Sequence, residues 1–375
     1  MNAIRLAAGI VIVTLASTTF NSAMGENVEQ LTPPSMPDFR ECALDAYDRP
    51  YFSSAPCPSF YFQTQALFFQ QVPRFGRQPI VVNNTNNTTL MSTSNLDSTF
   101  NPGLQATLGS RLQNGQTVEF EYLGLFGSTS AVAVKPDPAA FLTFPNNLAG
   151  NAFIDMNRVQ ADYSSSFNSF AFNLLSCTGF CNSAYGSGAA GCCDAAYGSA
   201  AAAQCQSLSG FAGFRYINFN DRINISTQRV VGGVVENGTY NTSTNNNLYG
   251  AQLGGRFRRT SGPFGWDSTG FAGLFGNDAS QTQSATDFPN FPLRPPVSSN
   301  KPGVAFVGGG NVSALYSLNS VWNLRAGYSL LWVEGLALAP NQLDFNFASA
   351  QGGSQLRYNG GMLLHGATAG LEARW

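Results

Sequence analysis

The sequence predicts an all-β chain folded as a closed antiparallel transmembrane β-barrel of about ten strands, with long extracellular loops and short periplasmic turns. Three observations carry this expectation. Apolar and polar residues alternate with period two over ten segments, the connections between them are long and short by turns, and the last segment runs out to the terminal residue, Trp375. Period two marks a strand whose two faces meet different surroundings. In 361–375 one parity reads Leu363, His365, Ala367, Ala369, Leu371, Ala373 and Trp375, while the other holds Thr368, Glu372 and Arg374.

At the N-terminus, Arg5 precedes the apolar run Leu6 to Ala16, and Ala23-Met24-Gly25 supplies a small-x-small cleavage site. Residues 1–25 therefore read as a secretory signal peptide, 26–59 as a short periplasmic N-terminal segment and 60–375 as the barrel. No later window suits a membrane helix. The best, Leu315 to Ala339, is interrupted by Asn319, Asn323, Arg325 and Glu334. Such an exported chain is either soluble or a barrel, because only helices and closed barrels pair every backbone polar group in lipid.

Strands are expected at 60–69, 104–112, 117–126, 159–175, 208–219, 248–258, 264–275, 304–316, 321–332 and 361–375. Leu104, Ala106 and Leu108 alternate with Gln105 and Thr107, and Val118, Phe120 and Tyr122 with Glu119 and Glu121. The stretch 159–175 slips parity near Ser164 to Ser166, which predicts a β-bulge there. Connections 70–103, 127–158, 220–247, 276–303 and 333–360 are rich in Asn, Ser, Pro and Gly and read as the extracellular loops. Connections 113–116, 259–263 and 317–320 are tight periplasmic turns, the first carrying Asn114-Gly115. The Cys-rich insertion 176–207 is the exception on that side. Segregated loop lengths belong to a membrane barrel and have no cause in a sandwich. Trp322 and Trp332 share a parity and stand about 33 Å apart at ~3.3 Å per residue. A tilt of about 40° makes that roughly 25 Å along the normal, the height of an apolar band. With Trp266 and Trp375 they form the expected aromatic girdle.

Charged residues make up only 11% of the chain and the net charge is −2, without a basic block, which argues against a nucleic-acid partner. The expected surroundings are outer-membrane lipids and the expected state a monomer. Positive charge is almost all arginine, whose planar fork suits fixed ion pairs in a confined interior. Seven cysteines (Cys42, Cys57, Cys177, Cys181, Cys192, Cys193 and Cys205) fit an oxidising compartment, with at least one disulfide expected within 177–205. No metal or cofactor is expected, since the single histidine, His365, is remote from the cysteines in sequence. No enzyme is expected either. The chain has no Gly-x-Ser-x-Gly elbow, and His365 lies on the apolar parity as an interfacial residue. Gly308-Gly309-Gly310 is not followed by the Lys-Ser/Thr of a phosphate loop and reads as a strand bend.

The inward parity gathers Arg111, Glu119, Glu121, Arg256, Arg325, Glu372 and Arg374, with Gln63, Gln65, Gln105 and Gln252. These residues either line a narrow polar path that sets ion preference, or pair across the lumen and fill it, as barrels near eight strands do. Mixed signs on neighbouring strands, such as Arg111 facing the Glu119/Glu121 strand, favour pairing.

Phe211-Ala212-Gly213-Phe214-Arg215-Tyr216, Gly250-Ala251-Gln252-Leu253-Gly254, Ala272-Gly273-Leu274-Phe275-Gly276-Asn277 and Leu364-His365-Gly366-Ala367 resemble signatures of the bacterial outer-membrane beta-barrel porin type-seven family. So does Gly335-Leu336-Ala337-Leu338-Ala339-Pro340-Asn341-Gln342-Leu343, the most specific run, and the resemblance spans about 60–375. It implies a barrel in the bacterial outer membrane. The closing strand with its terminal aromatic likewise resembles the signal that such barrels present to their assembly machinery. Where the family often carries an acidic residue, this chain has Ala171 and Gly309 or Gly310, so no interior ion pair is expected at those positions. The function expected is a porin-like barrel with a narrow or filled lumen, passing at most small polar solutes. The alternatives are a non-transport surface barrel whose loops bind partners and a soluble secreted β-sandwich.

Overall fold

The computed structural model describes residues 59–375 apart from 97–99, 137–140, 146–149, 184–185, 191–203 and 347–351, with backbone alone over 177–205. The signal segment and residues 26–58, with Cys42 and Cys57, lie outside the described residues. So do Cys192, Cys193 and the side chains of Cys177, Cys181 and Cys205. In chain order the strands are β1 (Phe60–Arg74), β2 (Pro79–Asn83), β3 (Thr89–Ser92), β4 (Phe100–Arg111), β5 (Thr117–Val134), β6 (Leu142–Thr143), β7 (Arg158–Ser183), β8 (Gly186–Ala190), β9 (Gln204–Val231), β10 (Val234–Ser261), β11 (Phe264–Asp287), β12 (Phe291–Ser317), β13 (Trp322–Leu336) and β14 (Gly360–Arg374).

Ten of these close a ring. The order β1, β4, β5, β7, β9, β10, β11, β12, β13, β14 returns to β1, every neighbour antiparallel. The seam is tight, with Phe60 and Trp375 exchanging backbone hydrogen bonds of 3.0 Å in both directions. Each predicted segment matches one of the ten strands, overrunning it by one residue at Leu112, Val321 and Trp375. A ring leaves no pair of facing sheets, so the β-sandwich reading is excluded. Among the described residues no helix is long and apolar enough to cross a membrane, a fact that says nothing of crossing by strands.

The expected bulge is on the wrong strand. Along β7 a single parity from Val159 to Leu175 stays buried throughout, including Tyr163, Ser165 and Phe167. The register instead shifts on β5 between Leu125 and Ser128, opposite Phe167 and Ser165, where Gly127 sits at φ +95°. The serines of 164–166 mimic a parity slip because a small polar residue serves either face.

Two of the expected long loops are largely strand. β9 and β10 pair continuously down to the turn at Gly232-Gly233, and β11 and β12 are separated only by 288–290. Asn224, Ser226, Asn241, Ser243 and Asn245 take the outward parity, while Ile223, Ile225, Tyr240 and Leu248 alternate with them on the inner face and are buried, with Thr242, Thr244 and Asn246 beside them. Polar composition suggested loops, but the alternation continues the sheet beyond the apolar band. Similarly, β7 and β9 extend into the Cys-rich insertion and pair as far as Asn182 and Gln204, with β8 folded against β7.

The remaining long connections fold inward. The three-stranded sheet β3–β2–β6 and the short 3-10 turn Asn151–Phe153 bring Ile80, Val81, Met91, Leu142, Phe144 and Phe153 into an apolar cluster against the inner wall of the tall strands. The chain beyond β13 joins that cluster through Ala339, Leu343 and Phe345. Gly335 makes the reversal possible at φ +87°, and a Cβ there would stand 2.4 Å from the Val304 carbonyl oxygen. Gly335→Ala should therefore destabilise the barrel more than Gly262→Ala. The latter adds a Cβ into open space at φ +57° and meets backbone strain alone, about 1–2 kcal/mol. Urea unfolding of both variants in detergent micelles measures the difference.

Candidate functional site

The interior is occupied at two levels. Toward the short turns, β4–β5, β10–β11 and β12–β13 bring charged side chains onto inner-face positions, where strand parity aims them at one another. Arg256 of β10 forks onto Glu119 of β5 at 2.6 and 3.1 Å, and Glu119 also accepts the Tyr61 hydroxyl. Arg215 of β9 reaches Glu121 at 3.0 Å, Ser169 at 2.8 Å and Gln252 at 2.7 Å, and lies 4.6 Å over the Phe271 ring. Arg258, Arg325 and Arg374 all converge on Glu372, at 2.7, 2.7 and 2.6 Å, and the first two also reach Asp267. Four strands are thus joined through two carboxylates. Fork-to-carboxylate pairs of this kind are the strong form of the ion pair and hold their geometry.

Between this layer and the apolar one above it lies a cavity of about 70 Å³, walled by Arg215, Arg256, Glu119, Glu121, Arg325 and Ser329 and by the rings of Phe69 and Phe271.

Beyond the cavity the chain after Gly335 crosses the lumen as a strap. A strap inside a barrel loses water as a hydrogen-bond partner, so its backbone groups need protein ones. The inner wall supplies them. Asn246 exchanges two bonds with Ala337, donating to its carbonyl at 2.9 Å and accepting its N–H at 2.8 Å, as a neighbouring strand would. Asn277 donates to the Gly335 carbonyl at 2.9 Å, and Asp221 accepts the Ala339 N–H at 2.9 Å. Gln283 donates to Gln342, and Tyr240 and Arg294 both donate to the Asp344 carbonyl at 2.9 Å. Phe345 stacks on Phe144 at 4.8 Å and packs against Tyr240 at 5.3 Å.

The outer face is apolar over a belt. Trp266, Trp322, Trp332 and Trp375 are all exposed on it. Tyr122, Phe170, Tyr216 and Tyr249 form a ladder across β5, β7, β9 and β10, each directly opposite the next in register. Immediately beyond it the tyrosine hydroxyls donate to Asn168 and Asn247, and Asn218 and Asn220 continue a polar ladder. An aromatic row handing over to amides marks one edge of the apolar belt. His365 also looks outward, where its Nδ1 lies 2.6 Å from the Tyr328 hydroxyl. Among the described residues no group of three or more His, Cys, Asp or Glu side chains is placed to hold a metal ion.

Glu119, Glu121, Arg256, Arg325, Glu372 and Arg374 are thus brought together in the lumen, but Arg111 makes none of these ion pairs. The partners of Glu119 and Glu121 are Arg256 and Arg215, on β10 and β9, which are not direct neighbours of β5, whereas Arg111 stands opposite Thr117, one inner position short of Glu119. Arg215, Arg258 and Asp267 complete the layer and escaped the sequence reading. Their inward parity was readable in principle, since Arg258 follows Arg256 by two. The strap's partners Asp221, Asn246, Asn277 and Gln283 were hidden in segments read as loops.

No protein-family model matches the chain, and no curated protein matches it. Among solved structures it resembles the outer membrane protease OmpT from Escherichia coli, at 7% identity and a TM-score of 0.41 over 84% of this chain and 96% of that one. It also resembles a Pseudomonas aeruginosa FadL homologue, at 7% identity and 0.24 over 84% and 90%. An anion-selective porin from Comamonas acidovorans follows at 10% identity and 0.14 over 84% and 99%. Scores this low carry nothing about chemistry to this chain, and the closed ring rests on its own strand pairings.

Asp221 lies beyond the apolar belt and joins wall to strap. Burial pushes its carboxyl up to about 7, against the hydrogen bonds it accepts from Thr244, Ala339 and Tyr163. An unfolded aspartate titrates near ~3.9. Between about pH 4 and 7 the folded state therefore keeps a proton that the unfolded chain has released. By linkage, stability falls as pH rises through that window and levels off above it. Asp221→Asn should flatten this decline, as measured by urea unfolding in micelles from about pH 4 to 8.

Proposed function

We propose that this chain is a bacterial outer-membrane β-barrel whose lumen is closed, so that it works as a surface or structural barrel and not as an open pore. The observation that carries this reading is the pair of barriers in series: the Arg/Glu layer near the short turns, and the strap Gly335 to Phe345 hydrogen-bonded to the inner wall above it. Residual passage would be confined to small polar solutes threading the charged layer. Insertion in the outer membrane is supported by the apolar outer belt, by its exposed tryptophans and tyrosine ladder, and by the export signal read at the N-terminus. Membership of the porin type-seven family belongs to the same proposal. Its most specific run, Gly335 to Leu343, coincides with the lumen strap. The tall hairpin tips at Gly232-Gly233 and at Pro289-Asn290 would face the cell exterior and offer partners their most accessible surface.

Single-channel recording on refolded protein in planar bilayers tests the closed lumen. Little or no conductance is expected from the wild type, and deletion of 337–345 should raise it by removing one barrier. A large, steady wild-type conductance would overturn the reading. Orientation is tested on intact cells with a membrane-impermeant maleimide. Gly232→Cys should add label above the unsubstituted protein, whereas Asn319→Cys should add none, and the reverse pattern inverts the topology.

A further inference from the structure

The charges of the inner layer do not balance. Arg215 pairs with Glu121 and Arg256 with Glu119, one to one, but Arg258, Arg325 and Arg374 share only Asp267 and Glu372. Three guanidiniums over two carboxylates leave one positive charge in surplus. Arg325 is the most enclosed of the three, its side chain 3% exposed. A surplus charge withdrawn from water is costly unless something neutralises it.

The cavity beside Arg325 supplies the room. Arg325 and Ser329 both line it, two inner-face positions apart on β13, and the residue between them on that face is Gly327. The Arg325 Nε and the Ser329 Oγ are buried and have no hydrogen-bond partner in the protein. Both groups donate hydrogens. Ser329 is nine-tenths buried, so bulk water does not serve it. The carboxylates on the cavity wall, Glu119 and Glu121, are already engaged by Arg256, Tyr61 and Arg215, and so do not leave the wall net negative. The Asn311 Oδ1 also lacks a protein partner and faces the space as an acceptor, so water accompanies the occupant.

We propose that this cavity is a binding site for one small inorganic anion of the halide class, held by the Arg325 Nε and the Ser329 hydroxyl. It neutralises the surplus charge of the Arg258–Arg325–Arg374 cluster. At about 70 Å³ the cavity has room for an ion and a few waters but not for an organic solute. The site stands on the cavity and its charges, so the conductance result leaves it untouched.

The test is bromide. Crystals of the full-length mature barrel grown in sodium bromide should show one anomalous peak within hydrogen-bonding distance of the Arg325 Nε and the Ser329 Oγ. In detergent, the thermal midpoint should be several degrees higher in bromide than in gluconate at equal ionic strength. Ser329→Ala, which leaves every ion pair in place, should abolish both the peak and the difference while keeping the heat-modifiable migration of the folded barrel. Absence of anomalous density there, or a bromide effect that persists in Ser329→Ala, would overturn the proposal and leave a cavity filled by water alone.

Discussion

A backbone that enters a barrel gives up water and must find other partners, and Gly335 to Phe345 enters this one. Ten strands enclose a lumen slightly wider than wall side chains fill unaided. The chain closes the gap with its own backbone and with long arginines. Strap groups meet amides and a carboxylate on the tall strands, Asn246 for Ala337, Asp221 for Ala339 and Gln283 for Gln342, and Tyr240 with Arg294 for Asp344. The tall strands in turn pack their inner face against the apolar cluster that the strap joins. Wall and strap therefore depend on each other, and a buried polar network is stable only when all its members are satisfied.

The lower layer solves the same problem with charge. Inner positions near the short turns carry arginines and carboxylates from six of the ten strands, and opposite signs meet both between neighbouring strands and between strands further apart. Glu372 belongs to the closing strand, and three arginines from β10, β13 and β14 converge on it. The last strand is thereby tied to β10 and β13 from inside, while the backbone ladder holds it to β1. Burying these ions costs solvation, which pairing only partly offsets. What the arrangement secures is geometry: a fork on a fixed carboxylate admits one orientation.

Outside, the same strands change surroundings without changing conformation. The row Tyr122, Phe170, Tyr216 and Tyr249 ends the apolar belt, and the Asn residues that follow on the same parity begin the solvated part. Tyrosine suits that boundary because its ring is apolar and its hydroxyl seeks a partner. A strand needs no break there, since its hydrogen bonds are satisfied by its neighbours on either side of the boundary.

The ten strands, their order and the inner parity of Glu119, Arg325 and Glu372 were legible in the residues alone, because period two is a local property and ring closure follows from an even, up-and-down meander. So was the outward place of His365 and the tryptophans. The true height of β9 to β12 was obscured by composition, since Asn and Ser on a solvated outer face look like loop when the inner alternation of Ile223, Ile225 and Tyr240 is overlooked. The bulge was placed on β7 when it lies on β5, because only the register between two strands shows which one holds the extra residue. Which charges meet was decided by the tertiary structure alone. Arg111 was expected beside Glu119 and Glu121, yet Arg256 and Arg215 reach them from β10 and β9, strands that do not adjoin β5. Pairing across a ring depends on its closure and stagger, quantities no single strand contains. The strap was equally out of reach: Gly335 to Leu343 reads as one more loop until the wall that receives it exists.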